Sequence, residues 1–252
     1  MSFDKAAELY GRFMGRYSEP LAVAFADAAG IAAGRRVLDV GCGPGALTAQ
    51  LVDRLGVENV AAVDPSVPFA EAARARFPGL EVLPAAAEDL PFADDSFDAA
   101  LAQLVVHFMS DPVAGLREMG RVTRPGGTVA ACVWDLADGR SPLSTFWEAV
   151  HDLDPTAVDE SWLPGARAHH LVELAEEAGL QRPAQSVLTV RVRHETFEEW
   201  WEPYTFGVGP AGDHVAGLDE RGRAALRARC RELLGPGPFE IVGQAWCMVA
   251  VA

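Results

Sequence analysis

The stretch VLDVGCGPGALT, Val37 to Thr48, constrains the fold more than any other part of the chain. An apolar run carries one acid, Asp39, and ends in three glycines at alternate positions, Gly41, Gly43 and Gly45, before a helical pattern begins. Glycines at such a turn permit positive φ and close backbone approach. Taken alone, Gly41-x-Gly43-x-x-Ala46 fits the dinucleotide fingerprint. Asp64 stands about 20 residues further on, where that fingerprint expects a ribose-binding acid. At this point the spacing does not separate NAD from other adenosine ligands.

The same alternation continues downstream. Arg36 to Val40, Asn59 to Val63, Leu80 to Pro84, Phe97 to Leu101 and Thr128 to Trp134 read as strands. Between them lie a helix marked by Leu47, Leu51 and Leu55, one running through about Phe77, and one from about Asp111 to Val122. Continuous apolar strands separated by helices predict a parallel, doubly wound α/β sheet buried on both faces, with ligands at the carboxyl ends of the strands. Upstream, Ala6, Leu9, Tyr10, Phe13 and Met14 fall at helical spacing, and Ser18-Glu19-Pro20 reads as a helix start. Leu21, Ala24, Phe25 and Ala28 mark the next helical face, which Gly30 ends.

Beyond Trp134 the pattern loosens. Residues 135–180 read as mainly helical, Gln185 to Arg193 and Phe239 to Val249 as strands, and Asp219 to Leu234 as a charged helix. The expected organisation is one domain. Its core covers about 34–135, 180–194 and 238–252, and cap elements cover about 1–30, 136–179 and 195–237.

Charge narrows the partners. The net charge is −15, and Lys5 is the sole lysine. Such a surface opposes phosphate backbones and anionic membranes, so a small molecule is expected rather than nucleic acid or lipid. No apolar run is long enough to span a bilayer, and the N-terminus lacks the apolar core of a secretory signal, so a cytoplasmic location is expected. Cys42, Cys132, Cys230 and Cys247 form no CxxC pair and have no histidine at zinc-ligand spacing, so no metal is expected.

Three features go beyond the glycines. Asp39 facing the loop suits a positively charged ligand and opposes a pyrophosphate. AAAEDLPFADDSFDAALA, residues 85–102, and RVTRPGGTV, residues 121–129, follow in order. With VLDVGCGPG, these stretches closely resemble the class I S-adenosylmethionine-dependent methyltransferases, in particular the type 11 domain of small-molecule enzymes similar to the ubiquinone and menaquinone C-methyltransferases. The resemblance covers about residues 34–135. It implies a Rossmann-like seven-stranded sheet of order 3-2-1-4-5-7-6, the last strand antiparallel, with S-adenosyl-L-methionine as cofactor. It further implies that Asp39, Gly41, Cys42 and Gly43 line the methionine part and that Asp64 takes the ribose hydroxyls. Pro65 and Ser66 would lie beside the adenine, Ala87 and Glu88 would flank it, and Gln103 and Leu104 would lie under the sulfonium. Ala86 departs from the family, which often has Asp there to meet the adenine amino group.

On the acceptor side, His107 follows the fourth strand and is the first candidate for a general base. His169 and His170 are adjacent and cannot share one pocket if helical; His151, His194 and His214 lie in cap regions. The cap is aromatic, with Phe146, Trp147, Trp162, Trp200, Trp201, Tyr204 and Phe206, and is expected to shape an apolar pocket. Trp200, Trp201 and Tyr204 are the substrate-binding candidates. Leading residues, Tyr17 and Arg16 first among them, are expected to fold over the cofactor. One rival reading is a nicotinamide-dependent oxidoreductase. It leaves Asp39 and the two downstream stretches unexplained, and a single lysine rules out a YxxxK pair. The other is a non-catalytic protein that binds S-adenosylmethionine.

Overall fold

In the computed structural model, which describes Leu9 and residues 11–252, the chain alternates strand and helix from Val37 onward. Ala6 and Tyr10 of the expected opening helix lie outside the described residues. One π-helical turn, Gly11–Gly15, leads directly into α1 (Arg16–Ala28). Then come β1 (Val37–Val40), α2 (Ala46–Leu55), β2 (Val60–Val63), α3 (Val67–Arg76), β3 (Glu81–Leu83), β4 (Phe97–Gln103), α4 (Pro112–Val122) and β5 (Thr123–Trp134). The remainder comprises α5 (Ser144–Leu153), α6 (His170–Glu177), β6 (Gln181–His194), α7 (Phe197–Trp201), α8 (Gly209–Gly217), α9 (Glu220–Leu234) and β7 (Phe239–Val251).

The strands form one seven-stranded sheet in the order β3-β2-β1-β4-β5-β7-β6. Pairing is parallel from β3 through β5, and β7 runs antiparallel to both of its neighbours. All four residues of β1 and of β2 are buried, because helices cover both faces and leave no strand face in water. The order reverses between β1 and β4, and this opens a crevice beyond their carboxyl ends.

Each sheet face carries its own hydrophobic cluster, and the cap belongs to one of them. Trp200, Tyr204, Phe146 and Phe197 are fully buried. Phe146 stacks on Tyr204 at 4.5 Å, and Phe13 meets the same ring edge-on at 5.0 Å. Large rings contribute most to stability where they are wholly removed from water, and this cluster fastens the cap to the sheet. Among the described residues no helix is long and apolar enough to cross a membrane.

Three local expectations are corrected. Ser18-Glu19-Pro20 lies inside α1 rather than at its start. Pro20 is tolerated one turn in, where its missing N–H removes the bond to the Arg16 carbonyl. Residues 135–180 are mostly turns, with helix only at 144–153 and 170–177, because Pro142, Pro155 and Pro164 and the positive-φ glycines Gly139 and Gly165 interrupt them. The fifth strand begins at Thr123 rather than Thr128, with Arg124-Pro125-Gly126-Gly127 as a bulge within it. Phe97 pairs with Thr123 and Ala99 with Thr128, and Gly126 and Gly127 exchange backbone bonds with Ala252.

Candidate functional site

The crevice is a cleft of about 260 Å³, lined by Asp39, Gly41, Cys42, Gly43, Asp64, Pro65, Ser66, Gln103 and Leu104 among others, so nine of the twelve expected cofactor-contacting residues meet there. They come from the ends of β1, β2 and β4, as the switch-point geometry requires.

Two glycines of the loop do different jobs. Gly41 has φ +72°, and a Cβ there would sit 2.5 Å from Val105 Cγ2, so it lets the loop pass the strand mouth. Gly43 has φ +53°, and a Cβ there would meet nothing within 4 Å; its open side is the cleft. Gly41→Ala is therefore expected to cost about 2–5 kcal/mol, from left-handed strain plus overpacking. The melting temperature should drop by roughly 5–15 °C. Gly43→Ala should cost only the strain, about 1–2 kcal/mol. Thermal melts of the two variants side by side check this.

The loop's amides are already engaged. Gly41 and Cys42 both donate to Val63 O, at 2.8 and 2.9 Å, and Gly45 donates to Cys42 O at 2.9 Å. Gly43 donates to Asp64 Oδ2 at 2.8 Å, and Pro44 has no N–H. A pyrophosphate cradle needs such amides free and pointing at the anion; here they tie the loop to the end of β2.

The cleft is acidic and, among the described residues, has no lysine or arginine in its lining. Asp39 is buried and accepts Thr48 Oγ1 at 2.6 Å. Burial pushes its carboxyl up to about 7; the Thr48 hydroxyl opposes the shift and nearby Asp64 adds to it. Asp64 accepts Gly43 N–H on one oxygen and Ser66 N–H on the other, both at 2.8 Å. Burial raises its carboxyl too, against those two amides. Each oxygen retains a lone pair for a further donor. Gln103 Nε2 donates to Ser18 O at 3.0 Å, and its Oε1 is buried with no partner among the described residues. An orphaned acceptor and two carboxylates facing one cleft suit a ligand with hydroxyl donors and positive charge.

Leu104, at the end of β4, has φ +60°, a conformation that non-glycine residues seldom adopt. Its N–H donates to Cys132 O at 2.8 Å, which helps keep the strained turn in place. Leu104, Phe108 and Phe69 line the cleft and also a second, apolar cavity of about 280 Å³. Phe13, Met14, Trp134, Leu136, Leu143 and residues 208–211 complete that cavity, and among the described residues His107 and Glu160 are its titratable groups. His107 is 8% exposed, its Nδ1 has no hydrogen-bond partner among the described residues, and burial lowers its pKa to about 4. The ring is therefore neutral at neutral pH.

The other expected residues lie elsewhere. Tyr17 turns away from the cleft to His194, with its hydroxyl 2.9 Å from Nε2. Arg16 donates to His194 Nδ1 at 2.8 Å, so Nε2 carries the proton and donates to Tyr17. Ser18, one residue along α1, faces the cleft instead. Ala87 is buried in the core on the other sheet face. Glu88 accepts the Ser110 and Asp111 amides at 2.8 and 3.1 Å, at the head of α4. Neither lines the cleft. Trp200, Trp201 and Tyr204 are core rings and line neither the cleft nor the apolar cavity; the cap reaches that cavity through residues 208–211 at the start of α8. Sequence reasoning missed Ser18, Phe69, Phe108 and Glu160. Phe69 and Phe108 had a usable signal, since each follows a strand's carboxyl end. Glu160 had none.

The family described as "Methyltransferase domain" matches residues 38–131. An uncharacterized methyltransferase of Mycobacterium tuberculosis is 43% identical over 109 residues, 43% of each chain. A demethylmenaquinone methyltransferase of Beutenbergia cavernae is 44% identical over 125 residues, 50% of this chain and 49% of that one. The matched segments thus span less than half the length of these relatives. Among solved structures, the YcgJ protein of Bacillus subtilis superposes with a TM-score of 0.58 at 18% identity, covering 93% of this chain and 97% of that one, which is a likeness of fold.

Proposed function

We propose that this chain, which belongs through residues 38–131 to the methyltransferase domain family, methylates a small organic acceptor using S-adenosylmethionine. The observation that carries the reading is the junction at Leu104 and Phe108. There an acidic cleft, with no lysine or arginine among its described lining residues, shares a wall with an apolar cavity. Asp39, Gly41, Cys42, Gly43 and Gln103 would hold the methionine part, Asp64 the ribose hydroxyls, and Pro65 and Ser66 the adenine side. When bound, S-adenosylmethionine supplies an activated methyl group, moved by in-line displacement as its carbon–sulfur bond breaks and sulfur keeps the electron pair.

The chain's own residues align the acceptor and keep water out. Phe69, Leu104 and Phe108 form the apolar throat between the two spaces. His107, neutral at pH 7, takes the proton of an attacking hydroxyl or amine. Incubation with methyl-labelled S-adenosylmethionine and a panel of phenols and amines tests the reading. Label in a small product, with S-adenosylhomocysteine formed in equal amount, is expected. Cofactor binding without transfer to any acceptor would favour a non-catalytic binding protein.

Asp39 sets a pH dependence. Its carboxyl, pushed up to about 7, is mostly protonated at pH 5.5 and half ionised at pH 7. A cationic ligand favours the ionised form, so binding releases a proton in this range. Affinity for S-adenosylmethionine is expected to rise roughly tenfold from pH 5.5 to 7. Titrations of Asp39→Asn should show a flat profile across the same interval.

A further inference from the structure

Glu160 is the second polar group of the apolar cavity, and the transfer itself assigns it no task. It is 6% exposed, in the turn region between α5 and α6. Among the described residues its carboxylate accepts one hydrogen bond, from Trp147 Nε1 to Oε2 at 3.1 Å. Among the described residues no arginine or lysine forms an ion pair with it. A carboxylate offers about four acceptor sites. With one protein donor, most of that capacity is left to whatever occupies the two cavities it lines. Burial accordingly raises its pKa, against the Trp147 bond, and neighbouring Asp159 raises it further.

Glu160 also borders a polar cavity of about 280 Å³ lined by Glu148, His151 and Asp159, with no lysine or arginine among the described residues of its lining. It does not line the cofactor cleft, whereas Leu104 and Phe108, near His107 in sequence, do. The cavity thus has one titratable group, His107, beside the transfer junction and a second, Glu160, with a single protein donor among the described residues and away from the cofactor cleft.

We propose that Glu160 determines acceptor specificity, and that the acceptor is an apolar body bearing an amine or hydroxyl that donates to Glu160, its carboxylate analogue being rejected. The inference rests on the apolar cavity being the acceptor site. A ligand donor supplies the bonds the carboxylate lacks. A ligand carboxylate would set two like charges together in apolar surroundings. Sites that hold an unpaired polar group discriminate strongly against ligands lacking its complement.

The test is calorimetry at pH 8 on full-length protein saturated with S-adenosylhomocysteine. The probes are 2-phenylethylamine, 2-phenylethanol and 3-phenylpropionate, which share one apolar body and differ in the terminal group. The amine and the alcohol are expected to bind, with the amine at least tenfold tighter than the propionate. In Glu160→Gln, which can still accept the Trp147 bond, that ratio should fall at least fivefold while S-adenosylhomocysteine affinity stays within twofold. Equal binding of amine and propionate to the wild type would overturn the proposal, even if the variant fails to fold. So would an unchanged ratio in the variant, or no binding of any probe. Failure of S-adenosylhomocysteine itself to bind would instead strike the cofactor reading.

Discussion

Replacing Asp64 with alanine is expected to weaken S-adenosylhomocysteine binding at least a hundredfold, as read by calorimetry. Asp64 both shapes the cleft and faces it. Its two oxygens accept Gly43 N–H and Ser66 N–H, each at 2.8 Å, and so join the glycine loop to the turn after β2. In the proposed complex the remaining lone pairs accept the ribose hydroxyls. Hydrogen bonds to a charged group contribute about 1.5–3 kcal/mol each, so losing two exceeds the roughly 2.7 kcal/mol that a hundredfold represents. Asp64→Asn retains one acceptor oxygen and should show a smaller loss, about tenfold. Melting curves of both variants separate loss of ligand contact from loss of the loop. Unchanged affinity in the alanine variant would remove the ribose assignment.

Replacing His107 with alanine is expected to lower kcat/KM by roughly 10²–10⁴ on an acceptor whose nucleophile must shed a proton. S-adenosylhomocysteine affinity should stay the same, because His107 lines the apolar cavity and not the cofactor cleft. Burial holds the imidazole pKa down to about 4, so the proton-accepting form prevails throughout the neutral range. His107 should therefore impose no acid limb on the rate between about pH 5.5 and 8. Added imidazole should restore part of the lost rate. A variant with full turnover would leave His107 as a wall of the pocket and nothing more.

How far the sequence was legible follows from the kind of signal each residue carries. The strands were readable because a sheet covered on both faces demands apolar runs; β2 is one throughout, and β1 is interrupted only by Asp39. Gly41 and Asp64 stood out in the sequence through the glycine turn and the acid about 20 residues on, whereas Leu104 was named only through the family resemblance. Tyr17 was mistaken for a cleft residue because one helical step decides which side chain turns inward, and that phase depends on the π-helical turn before α1. Trp200, Trp201 and Tyr204, the expected substrate contacts, sit in the core and outside the apolar cavity, because an aromatic cap composition says nothing about which rings face the sheet. Glu88 was drawn off by two backbone amides that only the folded chain brings near it. Glu160 and residues 208–211 lie in segments without period, and tertiary packing alone gathers them round one cavity.

The most direct test of the central claim is a calorimetric titration of the wild-type chain with S-adenosylmethionine, S-adenosylhomocysteine and NADH. An acidic cleft whose loop amides are spent within the fold predicts that both sulfur ligands bind and NADH does not. Binding of NADH with no response to the sulfur ligands would contradict the account, because it would require the amides of Gly41, Cys42 and Gly43 to turn outward onto a pyrophosphate.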